Sequence, residues 1–165
     1  MKDFSNKGFR ISNSSTEVKL AYTGFLVFVL VGYLTIVLIG VLRVGPGIQD
    51  IAIHYRGSED GEMFPRAFGQ MLEEAHFHAF IEGLILLVLT HLFVATHLAR
   101  KTKMIVILLA YGSTFADLAS PWLIKYVGPG FAYLQFTSWF VMTFSALVLI
   151  GVPFYEMWIK EGGKK

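Results

Sequence analysis

At 165 residues, 55% of them hydrophobic and 16% charged, with a net charge of +2 and a mean hydropathy of +0.58, the chain is far more apolar than a water-soluble domain of its length. Its charges lie between the apolar runs and do not spread into a polar coat, so most of the chain belongs in lipid. The absence of cysteine excludes disulfide frameworks, thiolate zinc or iron–sulfur sites and covalent c-type haem attachment, leaving His, carboxylates and Met as metal donors.

The polar segment 1–19 contains no short apolar stretch ending in a small-residue cleavage site, so the first apolar run reads as a retained span. Four runs, 20–42, 75–99, 104–127 and 131–159, each reach the roughly 20 helical residues needed to cross a hydrocarbon core. Ahead of the first, Ser14-Ser15-Thr16-Glu17 reads as a capping box with Ser14 as N-cap. The connection 44–70 is the long one, with turn formers in Gly45-Pro46-Gly47, Gly57 and Gly61. Pro65 suits the first turn of a helix, which predicts an interfacial run-in before the second span enters the membrane around Glu74. Gly128-Pro129-Gly130 joins the third and fourth spans in a tight turn. Together these features predict an all-α integral membrane protein, an up-down-up-down four-helix bundle.

Basic residues set the expected orientation. Lys2, Lys7, Arg10 and Lys19 precede the first span, Arg100, Lys101 and Lys103 separate the second and third, and Lys160, Lys164 and Lys165 close the chain. By the positive-inside rule, tails 1–19 and 160–165 are cytoplasmic, N-in and C-in, and the loop 44–70 lies outside.

Ionisable residues inside spans are costly and point to a protein interior or a function. On the second span Glu74, His78 and Glu82, four residues apart, form one stripe beside the small residues Ala75, Ala79 and Gly83. On the third, Ala110, Ser113, Ala116, Asp117 and Ser120 share a face at about 100° per residue. Counting about 1.5 Å per residue puts Glu82 and Asp117 at similar depths, roughly 10–15 Å below the outer surface. Pro121 deprives the Asp117 carbonyl of its helical donor, which predicts a kink and a polar niche. Gln135 and Ser138 add to it from the fourth span, with Met142 and Ser145 deeper, and Thr35 faces it from the first. The predicted buried polar site is therefore Glu82, Asp117, Ser120, Gln135 and Ser138, joined by His78 or His76, with His54, Tyr55 and Arg56 as lid groups above it. Such a site either holds a metal, a haem or a quinone, or passes protons, or serves as hydrogen-bonded glue between helices.

Four of the five histidines, His76, His78, His91 and His97, fall on or near the second span. His76 and His91 stand about 60° apart on a helical wheel, whereas His78 and His91 diverge by about 140°. The His76–His91 separation is similar to the two-haem spacing of respiratory cytochrome b, which makes His76, His78 and His91 candidate ligands of haem b. The other three spans contain no histidine, so the opposing ligands would come from a second copy, another subunit, His54 or a Met. His97, beside Arg100, reads as an interfacial residue at the helix end. Glu74, His78, Glu82 and Asp117 offer an alternative, the O and N donors favoured by non-haem iron, manganese or zinc. There is no G-x-S-x-G, no phosphate-cradling glycine loop and no basic groove for nucleic acid.

The general layout and the segments Tyr55-Arg56-Gly57 and Glu74-Ala75-His76-Phe77-His78 resemble small four-span bacterial inner-membrane proteins that accompany cytochrome-containing respiratory complexes, over about half of the chain. The resemblance implies a multi-pass protein of the bacterial cytoplasmic membrane. It would work in electron transfer with other membrane subunits, cytochromes among them, or as a homodimer, rather than as an independent enzyme. No catalytic residue is assigned. Two further readings remain: a structural or assembly subunit whose 15 Phe and 7 Tyr pack against larger partners, and a small proton or solute conductor using Glu82 and Asp117.

Overall fold

A computed structural model describes residues 10–159. Lys2, Lys7, Lys160, Lys164 and Lys165, used above to orient the chain, lie outside these residues. A single 3-10 turn, Ile11–Asn13, leads into α1 (Thr16–Arg43), followed by α2 (Ile48–Arg56), α3 (Phe68–Val94) and α4 (Arg100–Tyr126). A second 3-10 turn, Pro129–Phe131, opens into α5 (Ala132–Trp158). Helices α1, α3, α4 and α5 are each long and apolar enough to cross a membrane, and the described residues contain no strand, so the chain is a four-helix membrane bundle.

The boundaries differ from expectation where polar groups intervene. Ser15, not Ser14, is the N-cap of α1, and it makes no side-chain capping bond. α3 begins at Phe68, before the predicted span, and stops at Val94. Its last carbonyls are taken by short-range donors: the Ala95 N–H bonds to Leu92 O at 3.1 Å, the Thr96 N–H to Phe93 O at 3.1 Å, and Thr96 Oγ1 donates to Phe93 O at 2.7 Å. His97 consequently sits in the turn between α3 and α4 and not on the helix. α4 starts at Arg100, which places Arg100, Lys101 and Lys103 in its first turn.

Helix α2, inside the segment predicted as a loop, was hidden by the turn formers on either side of it. The Gly47 N–H donates to Asp50 Oδ2 at 3.0 Å and opens the helix. Gly57, at φ 81, closes it; a Cβ there would lie 2.6 Å from the Met63 carbonyl oxygen, so only glycine permits the chain to double back. Arg56 fixes α2 to the bundle by donating to the carbonyls of Ile124 at 2.9 Å and Lys125 at 3.0 Å at the end of α4. Lys125 in turn donates to the Arg66 carbonyl.

Two apolar cores form, one toward each end. At the α2 end Ile51, Tyr55, Met71, Ile124 and Ala132 are buried, with Phe136 and Trp139 packed against them. At the opposite end Ile11, Leu26, Leu89, Phe93, Leu149 and Met157 are buried. α4 and α5 make the most extensive pairing and α3 packs on both, while α1 rests chiefly on α5. Only 6% of the α1 span is buried against 28% for each of the others, and its single buried residue is Leu26, in its first half. The second half of α1 is therefore thinly covered, touching the bundle through Tyr33 and, at its end, Val44.

The end opposite α2 is closed by a polar clamp. Glu156 of α5, 3% exposed, accepts the His97 N–H with both carboxylate oxygens, at 2.8 and 2.9 Å, and the His97 ring Nδ1 lies 2.8 Å from Glu156 Oε2. Lys103 donates to Val94 O at 2.7 Å and Thr96 O at 2.6 Å, and Arg10 to Thr96 O at 3.1 Å. These cations satisfy the carbonyls left over where α3 ends.

Candidate functional site

Between the two cores lies a polar layer. On α3, His78 Nδ1 is 2.8 Å from Glu82 Oε1, one helical turn on, because side chains four residues apart on a helix stand above one another. On α5, Trp139 Nε1 donates to Asp117 Oδ1 of α4 at 2.8 Å. Glu82 and His78 act electrostatically on Asp117, and the charges of Asp117 and Glu82 are felt at Tyr33 of α1. Thr143 Oγ1 donates to the Trp139 carbonyl at 2.6 Å, so the Tyr33 hydroxyl, 2.7 Å away, is the donor in the Tyr33–Thr143 bond. All four spans thus contribute to one layer.

The layer is open sideways. The side chains of His78 and Glu82 retain 33% and 21% of their accessible surface. Glu82 Oε2 is a buried acceptor without a hydrogen-bond partner. With Nδ1 donated to Glu82, the second imidazole nitrogen of His78 is left to accept a proton or, in the imidazolium, to donate one. An imidazole and two carboxylates, one of them held by an indole N–H, can exchange protons with a polar group entering from the bilayer.

Pro121 frees the Asp117 carbonyl, and Ser120 Oγ donates to it at 3.0 Å in place of the missing amide. That bond uses up Ser120. Ser138 donates to Leu134 O at 2.6 Å and lines a groove on the surface between α4 and α5, outside the layer. Gln135 is buried in the other core, where its Nε2 donates to Tyr55 Oη at 3.0 Å. Of the five residues predicted for the polar site, Glu82 and Asp117 act on one another electrostatically, and Ser120 touches Asp117 through its carbonyl. Thr35 is exposed and bonds to Val31 O of its own helix at 2.8 Å. Tyr33, Trp139 and Thr143 were missed; the available signal was a tryptophan in mid-span, away from the interface that tryptophan prefers.

The predicted metal set is not assembled. Arg66 draws Glu74 to the α2 end with a 2.8 Å ion pair, away from His78, Glu82 and Asp117. Among the described residues no group of three or more His, Cys, Asp or Glu side chains is placed to hold a metal ion. The predicted histidine trio also divides: His78 points into the layer, whereas His76 and His91 are exposed on the perimeter of α3.

The expected lid groups instead build a fixed platform. Burial pushes the Tyr55 hydroxyl up to about 12, so it remains a neutral partner for Gln135. His54 Nε2 accepts from Arg66 Nε at 3.1 Å, and burial together with the Arg66 charge holds its basicity below the ordinary imidazole value. The sign of the pH effect follows. His54 contributes stability that is complete above the unfolded value of about 6.5 and is lost as pH falls through the lowered folded value. Thermal unfolding followed from about pH 8 down to about pH 5 should show a decline on acidification that is shallower in His54→Gln; equal slopes for the two proteins would contradict this assignment.

Residues 45–164 match a family model described as a transmembrane helical domain. No curated protein and no solved structure matches the chain.

Proposed function

The chain belongs to that family of transmembrane helical domains, and from this premise we propose that it is a membrane subunit of a bacterial electron-transfer complex whose polar layer receives the head group of a lipid-soluble quinone. One observation carries the reading: a protonatable layer of His78, Glu82 and Asp117 lies between two apolar cores yet opens sideways toward the bilayer. A water-borne ligand or a conducted ion would have to cross a core at either end. A lipophilic carrier enters from the side.

The chemistry fits the residues. A quinone carbonyl needs a donor, which the His78 imidazolium offers. A quinol hydroxyl needs an acceptor, which the partly exposed Glu82 carboxylate offers. Reduction of quinone to quinol takes up two electrons and two protons. The electrons come from a redox-active partner subunit, a cytochrome in the class suggested by the Tyr55-Arg56-Gly57 and Glu74–His78 segments, and the protons pass through the layer. Among the described residues, Arg10, Lys19, Arg100, Lys101 and Lys103 gather at the end opposite α2, which supports placing that end in the cytoplasm.

The test uses Trp139, which lies within the layer, as reporter. In a variant with Trp122 and Trp158 replaced by Phe, titration with a short-chain ubiquinone in detergent should quench Trp139 fluorescence saturably. Linear, non-saturable quenching, together with organic extracts of the purified protein that contain no quinone, would reject the reading.

A further inference from the structure

Two polar side chains meet inside the apolar core at the α2 end. Gln135 Nε2 donates to Tyr55 Oη at 3.0 Å, both residues are buried, and Gln135 Oε1 is a buried acceptor without a hydrogen-bond partner among the described residues. Turning the amide over only exchanges the end that is left: Tyr55 would donate to Oε1, and the NH2 would lack an acceptor. In either orientation one end of Gln135 is unsatisfied, a cost that buried amides avoid by holding water.

Helix geometry sets this pair against the polar layer. α4 runs toward the α2 end and α5 away from it, so Ser120, three residues after Asp117, and Gln135, four before Trp139, both stand one turn from the Trp139–Asp117 bond on the α2 side. Ser120 is 0% and Gln135 4% exposed, so the step from layer to pair is closed to lipid. The charge of Asp117 is felt at Tyr55 itself. A water in that turn would have about three partners, the usual number for a buried one. They are the free end of Gln135, the Tyr55 hydroxyl, whose own proton remains to be donated, and the Asp117 carboxylate.

We propose that Gln135 and Tyr55 hold a water against Asp117, and that this link carries protons between the polar layer and the α2 end of the bundle. Its use rests on the quinone reading, and its place on the bonds just described. A ligand or an ion would have to part the core to travel this way, whereas a proton is handed along hydrogen bonds. As Tyr55 Oη receives a proton from the α2 side it releases its own to the water, and the water releases one to Asp117. Tyrosine and water thus end neutral, and only the carboxylate changes state. Quinone reduction draws two protons from the layer for the two electrons supplied by the partner subunit, and two such passages restore them.

Exchange of the Trp139 indole N–H reads the link without any quinone, because that proton leaves only where water reaches the layer. The variant with Trp122 and Trp158 replaced by Phe is placed in lipid nanodiscs, where acyl chains cover the lateral opening, and the indole signal is followed by NMR after transfer to D2O. Adding Gln135→Leu should slow exchange by about tenfold or more. Tyr55→Phe, which removes a hydroxyl and keeps the ring in the core, should slow it less. Ser145→Ala should leave it unchanged: Ser145 Oγ is the other buried α5 atom without a partner, about 15 Å further from the α2 end. Exchange as fast as the parent's in both Gln135→Leu and Tyr55→Phe overturns the proposal. Slowing by Ser145→Ala equal to that by Gln135→Leu overturns it too, since water would then enter from the opposite end. A parent that fails to bind ubiquinone, with exchange still slowed by Gln135→Leu, keeps the link and removes only the quinone reading.

Discussion

Glu156→Ala lowers the stability of the bundle by about 1–3 kcal/mol, the cost of leaving hydrogen-bond donors at a buried site without their acceptor. The Glu156 side chain is 4% exposed and accepts from both the backbone and the ring of His97, so its removal leaves a buried N–H without an acceptor and frees the α3–α4 turn from α5. Glu156→Gln keeps one carbonyl acceptor and loses about half as much. Unfolding in increasing SDS, followed by circular dichroism, reads both changes. A Glu156→Ala midpoint equal to that of the unaltered protein would show that the turn holds without its clamp.

His78→Ala weakens binding of the short-chain ubiquinone about 10- to 100-fold, the equivalent of one charge-assisted hydrogen bond of roughly 1.5–3 kcal/mol. Glu82→Gln has a comparable effect: its one carbonyl oxygen keeps the His78 ring in place, while an amide NH2 stands where Oε2 was the free acceptor. Tyr33→Phe changes affinity only a few-fold, because the Tyr33 proton is already committed to Thr143. The Trp139 titration measures all three. If His78→Ala and Glu82→Gln both bind as tightly as the parent, the layer is not the quinone site.

The spans were legible because each is a long apolar run between charged connections, a pattern that depends on no particular tertiary contact. α2 was not. Its apolar anchors Ile51 and Tyr55 lie in a segment punctuated by glycine, and its stability comes from Arg56 reaching carbonyls on α4, a contact remote in sequence. Within the site, the stripe rule found Glu82 and His78, and Pro121 marked Asp117, since both signals are local to one helix. Which serines and glutamines join them is decided by rotamers. Ser120 and Ser138 turned back onto their own backbones, a choice always open to a hydroxyl in a helix and invisible in spacing. Glu156 went unnoticed because it sits near the chain's end, where a carboxylate reads as an interfacial charge and not as the cap of another helix's turn.

The attachment of α1 to α5 joins the first span to the last, and this has a consequence for biogenesis. As the chain enters the bilayer in order, α1 waits without its partner until the final span is in place. It must survive that interval as a solitary helix among lipids, and its hydropathy of 2.9, against 1.4 for the Pro121- and Asp117-bearing α4, suits it to do so. By the same reasoning α4, the least apolar span, depends on neighbours arriving promptly, so a ribosomal pause between α4 and α5 would expose the chain to quality-control proteases more than a pause anywhere earlier.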